Sequence, residues 1–146
     1  MLKNKETLVS TGLLLLRVAF GCFMLVHGWQ KLSGFSEMAD KFPDPIGMGS
    51  SLSLVMAIAA EVGCSLLLIA GFGTRFAAIP LAFTMIVASF VVHGSDPWQK
   101  KELAACYLAV YATLVLTGAG RFSVDQCLWG RKHAEVADSS TSASLT

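Results

Sequence analysis

Four apolar stretches organise this chain. Thr11–His27 reads TGLLLLRVAFGCFMLVH, Leu52–Phe72 reads LSLVMAIAAEVGCSLLLIAGF, Phe76–His93 reads FAAIPLAFTMIVASFVVH and Leu103–Gly118 reads LAACYLAVYATLVLTG. Each comes close to the roughly 20 residues that carry an α-helix across the hydrocarbon core of a bilayer. A soluble bundle would show polar faces at helical spacing, and these runs show almost none. The pattern predicts an all-α membrane protein, a bundle of four transmembrane helices over about 11–28, 52–72, 75–93 and 97–118. They form one domain, 1–130, followed by a polar tail at 131–146 with the composition of disordered chain.

The connections agree with this count. GFGTRF at Gly71–Phe76 reads as a tight turn. SGFSEMADKFPDPIGMGSS, with Pro43, Pro45 and several glycines, is long enough to cap the bundle. Asp96, Pro97 and Gln99 resemble a capped helix start, and Gly118 suits a helix end. Pro80 is expected to kink the third helix.

Composition strengthens the membrane assignment. Hydrophobic residues make up 54% of the chain and charged ones 14%, against about a quarter in soluble domains. The net charge of +1 comes with no basic patch, which argues against nucleic acid as a partner. The first run is longer than a signal-peptide core, is interrupted by Arg17 and lacks a small-residue cleavage site, so it is expected to stay in the chain. Four crossings put both termini on one side, with Lys3, Lys5, Arg75, Arg121, Arg131 and Lys132. Lys31, Lys41, Lys100 and Lys101 fall on the other. The positive-inside rule makes the first side cytoplasmic.

Val-His-Gly occurs twice, at the ends of the first and third runs. Both runs travel outward, so His27 and His93 are expected at one external mouth, as in two parallel hairpin repeats. Arg17 and Glu61 are charged inside the apolar runs, where charges pair or line polar cavities. Each lies about ten residues from the outer end of its run, or about 15 Å deep, so the two are expected to face each other. The pair is either an architectural lock or the floor of a polar pocket. Lys31, His27, His93 and Glu102 would surround the outer half of that pocket. For each histidine alone, an interfacial position snorkelling toward headgroups is an equal alternative. Two histidines at one depth could hold haem, but no haem-attachment motif and no zinc-type spacing is present. A quinone headgroup, needing only a few donors at the membrane boundary, fits the residues better. Cys22, Cys64, Cys106 and Cys127 form no Cys-x-x-Cys pair and read as buried small residues. Trp29, Trp98 and Trp129 read as interface anchors.

The chain resembles the DoxX family of small four-helix bacterial membrane proteins from about Leu13 to Trp129. The likeness rests on LLRVAFGCFMLVHGWQKL, AAEVGCSLLLIAGFGTRFAAI, KELAACYLAVYATLVL and the ending GAGRFSVDQCL. It implies a multi-pass protein of the bacterial cytoplasmic (inner) membrane. It also implies a membrane component of a quinone-linked redox system, acting on thiosulfate or sulfur or in oxidative stress, beside a soluble redox subunit. By the same resemblance His27, Gln30, Lys31, Glu61, Arg75, Glu102, Arg121, Ser123 and Asp125 are the residues to watch. Arg75, Arg121 and Asp125 are assigned a structural clamp in which Asp125 accepts from Arg75. No flavin motif or soluble redox module is present in the sequence, so a partner would bring most of the chemistry. Two other function classes remain: a carrier, dimeric because four helices are few, that uses the Arg17–Glu61 pair, and a non-catalytic membrane scaffold.

Overall fold

The computed structural model describes residues 2–127. Trp129, Arg131, Lys132 and the 131–146 tail lie outside the described residues. The fold is all-helical. α1 spans Leu2–Ser33 and the short α2 spans Phe35–Met38. α3 covers Ser50–Ala70, α4 Thr74–Val92 and α5 Trp98–Thr117. A π-helical turn interrupts α3 at Ala59–Cys64, and a second ends α4 at Val87–Val92. Such turns widen a helix locally and recur at functional sites.

α1 runs beyond its apolar stretch at both ends, because Asn4–Glu6 and Trp29–Leu32 continue the helix. An apolar run measures membrane thickness and not helix length. This extension sets the register of α1 against α3. A Cβ at Gly28 would lie 2.8 Å from Val62 Cγ2 and 3.0 Å from Glu61 Cβ, so only glycine permits the observed approach. Seven residues earlier, Gly21 lies against Ser65 and Ile69.

The α3–α4 reversal turns on Gly71 (φ 74°) and Gly73 (φ 57°), in the left-handed region that L side chains avoid. A side chain at Gly71 would also collide with the Arg17 guanidinium. Gly118 (φ 79°) closes α5. Asp96 does not cap the start of α5: the cap position is Pro97, without a side-chain bond, because the Asp96 carboxylate is engaged by His93 and Lys100.

The core is built from Met24 of α1, Leu68 of α3, Ala77, Ala78, Leu81 and Met85 of α4, and Tyr107, Tyr111 and Leu114 of α5. α4 and α5 share the most extensive helix interface. Outside this core, large apolar side chains face outward, including Leu15, Phe76, Phe90 and Leu116, which is 78% exposed. Water would disfavour such a surface by about 25 cal/mol per Å² of apolar area, while lipid accepts it. Three helices, Asn4–Ser33, Ser50–Ala70 and Thr74–Val92, are long and apolar enough to cross a membrane. α5 is 20 residues long but opens with Lys100, Lys101 and Glu102.

Candidate functional site

A cavity of about 420 Å³ lies among α1, α3, α4 and α5 at the end of the bundle that carries the α2–α3 connection. Phe42, Pro43, Pro45 and Ile46 of that connection line it from above. Met24, Met85 and Tyr107 line its deeper part. Most of the lining is apolar, and the polar groups are few and convergent, as in sites for small molecules.

Lys31 and Glu61 form the charged centre of this cavity. Lys31 Nζ donates to Glu61 Oε1, closing an ion pair between α1 and α3. Glu61 is 1% exposed, and its Oε2 has no hydrogen-bond partner among the described residues. A buried carboxylate oxygen without a partner is costly, and a donor arriving in the cavity would relieve that cost. The Lys31 side chain is 27% exposed, and its ammonium lies 6.0 Å from the centre of the Phe42 ring.

The two histidines line the same cavity. His27 meets the Tyr107 ring edge-on at 6.0 Å, and Tyr107 in turn stacks on Tyr111 at 5.9 Å. His93, just past the π-helical end of α4, donates from Nδ1 to Asp96 Oδ2 at 2.8 Å. This bond, with a smaller contribution from Lys100, holds the Asp96 carboxyl below its usual range. The donated Nδ1–H leaves Nε2 as the neutral ring's acceptor.

The sequence-based site therefore divides. His27, Lys31, Glu61 and His93 converge on one cavity, whereas Arg17 and Glu102 lie elsewhere. Glu102 is exposed, outside the cavity lining. Arg17 does not face Glu61. Gly28 stands level with Glu61 and Gly71 with Arg17, so the eleven residues from Arg17 to Gly28 separate the two charges by about 16 Å along α1. The expectation failed because it aligned the helices by their apolar ends, whereas α1 continues to Ser33. The partner of Glu61 is Lys31, one helical repeat beyond the apolar run, and the carrier reading built on an Arg17–Glu61 pair loses its premise.

Arg17 anchors a different assembly at the opposite end. It is 2% exposed and donates to Ala119 O at 2.9 Å and Phe122 O at 2.8 Å, fastening the segment after α5. That segment then docks on the α3–α4 turn. Asp125 accepts from the amides of Gly73 (2.7 Å) and Thr74 (3.2 Å), and its own amide donates to Gly71 O at 3.0 Å. Asp125 thus binds backbone and not Arg75, which donates instead to Leu116 O at 3.2 Å. Arg121 pairs with Glu6 at 3.2 Å, and Ser123 Oγ donates to Gly120 O. Gln30 is exposed on α1. Cys22, Cys106 and Cys127 are exposed and Cys64 is partly buried, so the cysteines are not uniformly the buried fillers expected; all four are free.

Asp44 escaped notice in the sequence. Its carboxylate accepts from Met48 N (3.0 Å), Gly49 N (2.7 Å) and Ser53 Oγ (2.8 Å), pinning the connection to the start of α3. The signal was available in Pro43-Asp44-Pro45 followed by Gly47 and Gly49, a turn-forming run ending at a helix start. The Ser53 hydroxyl and then the Gly49 amide hold the Asp44 carboxyl below its usual range.

The comparisons with known proteins bear on this geometry. The DoxX family model matches residues 12–94, which include α3, α4, both cavity histidines and the Lys31–Glu61 pair. The chain belongs to the DoxX family. Among relatives of this DoxX chain, the Putative oxidoreductase CatD of Bacillus subtilis is 31% identical over 86% of this chain and 94% of its own. An uncharacterized protein of Haemophilus influenzae is 29% identical over 80% of this chain and 82% of its own. The inner membrane protein YqjF of Escherichia coli is 25% identical over 84% of this chain and 96% of its own. No solved structure matches the DoxX chain significantly. Family, relatives and apolar helices together make it a membrane protein.

Proposed function

We propose that this DoxX protein is the membrane component of a quinone-linked redox system, with the quinone headgroup held against the Lys31–Glu61 pair. In this reading the chain crosses the bacterial cytoplasmic membrane four times with both termini inside, and the cavity lies toward the outer face. The name of the Bacillus subtilis relative, an oxidoreductase, points the same way. The observation that carries the proposal is Glu61 Oε2, buried and unpartnered beside an ammonium in a largely apolar cavity.

A bound quinone would supply a two-electron, two-proton couple, and the electrons would come from a soluble partner. The residues present fit such a headgroup. The Lys31 ammonium has three N–H donors and uses one on Glu61, which leaves donors for a carbonyl oxygen. Glu61 Oε2 would accept a hydrogen bond from the hydroxyl that the reduced headgroup carries. His93, oriented by Asp96, and His27, packed on Tyr107, stand in the same lining as further proton-handling groups. The apolar walls exclude water, which strengthens each of these interactions.

The test uses protein purified in mild detergent. Lipophilic molecules extracted from it are identified by mass spectrometry, and the affinity for a short-chain ubiquinone is measured by calorimetry. Stoichiometric quinone, with binding weakened at least tenfold in Glu61→Gln and in His27→Ala, is the expected result. Folded variants that bind quinone and support coupled redox activity as well as the parent protein would end the proposal.

A further inference from the structure

The cavity is covered at its loop end but not along its side. Phe42, Pro43, Pro45 and Ile46 lie across that end, held by Asp44 and by the contact between Phe42 and Lys31. α3 and α4, by contrast, separate as they leave the Gly71–Gly73 turn. Thr74–Ile86 packs on Ala59–Cys64, but higher up Ser50–Ile58 packs on α1 while Val87–Val92 packs on α5, and the backbones of these two segments do not approach each other extensively. The π-helical turns lie where the helices part, one holding Glu61 and the other leading to His93.

The cavity lining continues through this gap. Met56, Ala57 and Ala60 line it from α3, and Phe83, Thr84, Val87 and Ala88 line it from α4. Met56 and Phe83 are 57% and 54% exposed, so the rim belongs to the apolar surface that faces lipid. A charged centre, a covered loop end and an apolar opening toward lipid define the shape of an occupant: a hydrogen-bonding head at one end and a hydrocarbon tail at the other.

From this arrangement we infer that the gap between α3 and α4 is a lateral portal, through which a lipid-soluble, tailed molecule enters from the bilayer and leaves its tail lying between Met56 and Phe83. The inference rests on the headgroup reading above and adds the route and the tail to it. Ala57 and Ala60, one turn apart, keep the gap open. A tail arriving from lipid gains little by being buried there, because lipid is already as apolar as the gap. The gap therefore acts by admitting the tail and not by attracting it.

The experiment compares two probes on protein in lipid nanodiscs: a tailless dimethoxy-methyl-benzoquinone and its decyl-tailed analogue. The expected result is that Ala57→Phe and Ala88→Phe each weaken the decyl analogue at least tenfold and the tailless quinone less than twofold. A decyl analogue with a photoactivatable group at the tail end should label peptides containing Met56 or Phe83. Labelling of 42–48 instead, or equal loss of both probes in a variant that keeps the parent's melting temperature, would overturn the portal while leaving the headgroup site intact. Failure of both probes to bind the parent protein would overturn the headgroup reading and this inference with it.

Discussion

Lys31 reaches Glu61 from beyond the apolar stretch of α1, and the pair closes over the glycine contact at Gly28. The carboxylate is buried and the ammonium is partly exposed, so the two ends of the pair respond differently to removal. Lys31→Met leaves a buried carboxylate without a cation and is expected to destabilise by about 3–5 kcal/mol. Replacing both, Lys31→Met with Glu61→Leu, should recover most of that loss. A double-mutant cycle on unfolding in mixed micelles measures the coupling. A double variant as unstable as the sum of the singles would show that the pair contributes nothing.

The Arg17 assembly carries a separate expectation. Its guanidinium spans two carbonyls that belong to the segment after α5, a bidentate reach that an ammonium cannot copy. Each charge-assisted bond is worth about 1.5–3 kcal/mol. Arg17→Lys should therefore destabilise nearly as much as Arg17→Met, and both should expose the chain after Gly118 to protease. Quinone binding should survive in whatever fraction remains folded, since Arg17 stands some 16 Å from the cavity charges by helix rise. Intact proteolytic protection in Arg17→Met would show that the knot is held by other contacts.

Much of this fold was legible because lipid imposes a simple rule on sequence. Four long helices, the Gly71–Gly73 reversal and the end of α5 at Gly118 follow from apolar runs and glycines alone. Three of the helices meet the length and apolarity of a crossing, and the fourth, α5, begins with charges that blunt the signal. His27 and His93 shared a cavity because the Val-His-Gly repeat ends parallel helices. What the sequence hid was register. Nothing in the apolar run of α1 says that Trp29–Leu32 stays helical, and that extra turn decides whether Glu61 meets Arg17 or Lys31. Backbone acceptors were hidden for a different reason: Arg17 and Asp125 both bind main-chain groups, which leave no mark on residue identity.

Asp44 makes the loop over the cavity sensitive to acid. In the fold its carboxylate accepts from Ser53, Gly49 and Met48, which lowers its proton affinity below that of the unfolded chain. The stabilisation is therefore complete above the ordinary carboxylate value of about 3.9 and disappears as pH falls through the lower folded-state value. Amide exchange over 42–49, corrected for the intrinsic pH dependence, should stay protected at neutral pH and lose protection in that acid window. Asp44→Ala should show the unprotected behaviour at every pH. Protection that persists in Asp44→Ala would assign the loop's order to Phe42 and the prolines.

Whether α5 crosses the membrane decides on which side the segment after it lies. α5 packs along α4 for most of its length and exposes Leu103 and Leu116 outward, which favours lipid around it despite its charged first turns. If α5 crosses, Ser36 and Ser95 share one side of the membrane, and Phe72 and Gln126 share the other. The positive-inside expectation puts Phe72 and Gln126 on the cytoplasmic side. Cysteines introduced singly at these four positions, after Cys22, Cys64, Cys106 and Cys127 are replaced by serine or alanine, report this directly. An impermeant maleimide should label Ser36→Cys and Ser95→Cys in intact cells, and Phe72→Cys and Gln126→Cys only after permeabilisation. The reverse pattern would turn the protein over and place the cavity toward the cytoplasm. Labelling of Gln126→Cys together with Ser95→Cys would leave three crossings. In that case the Arg17 knot, which ties the chain after α5 to the α3–α4 turn, could not form in the membrane.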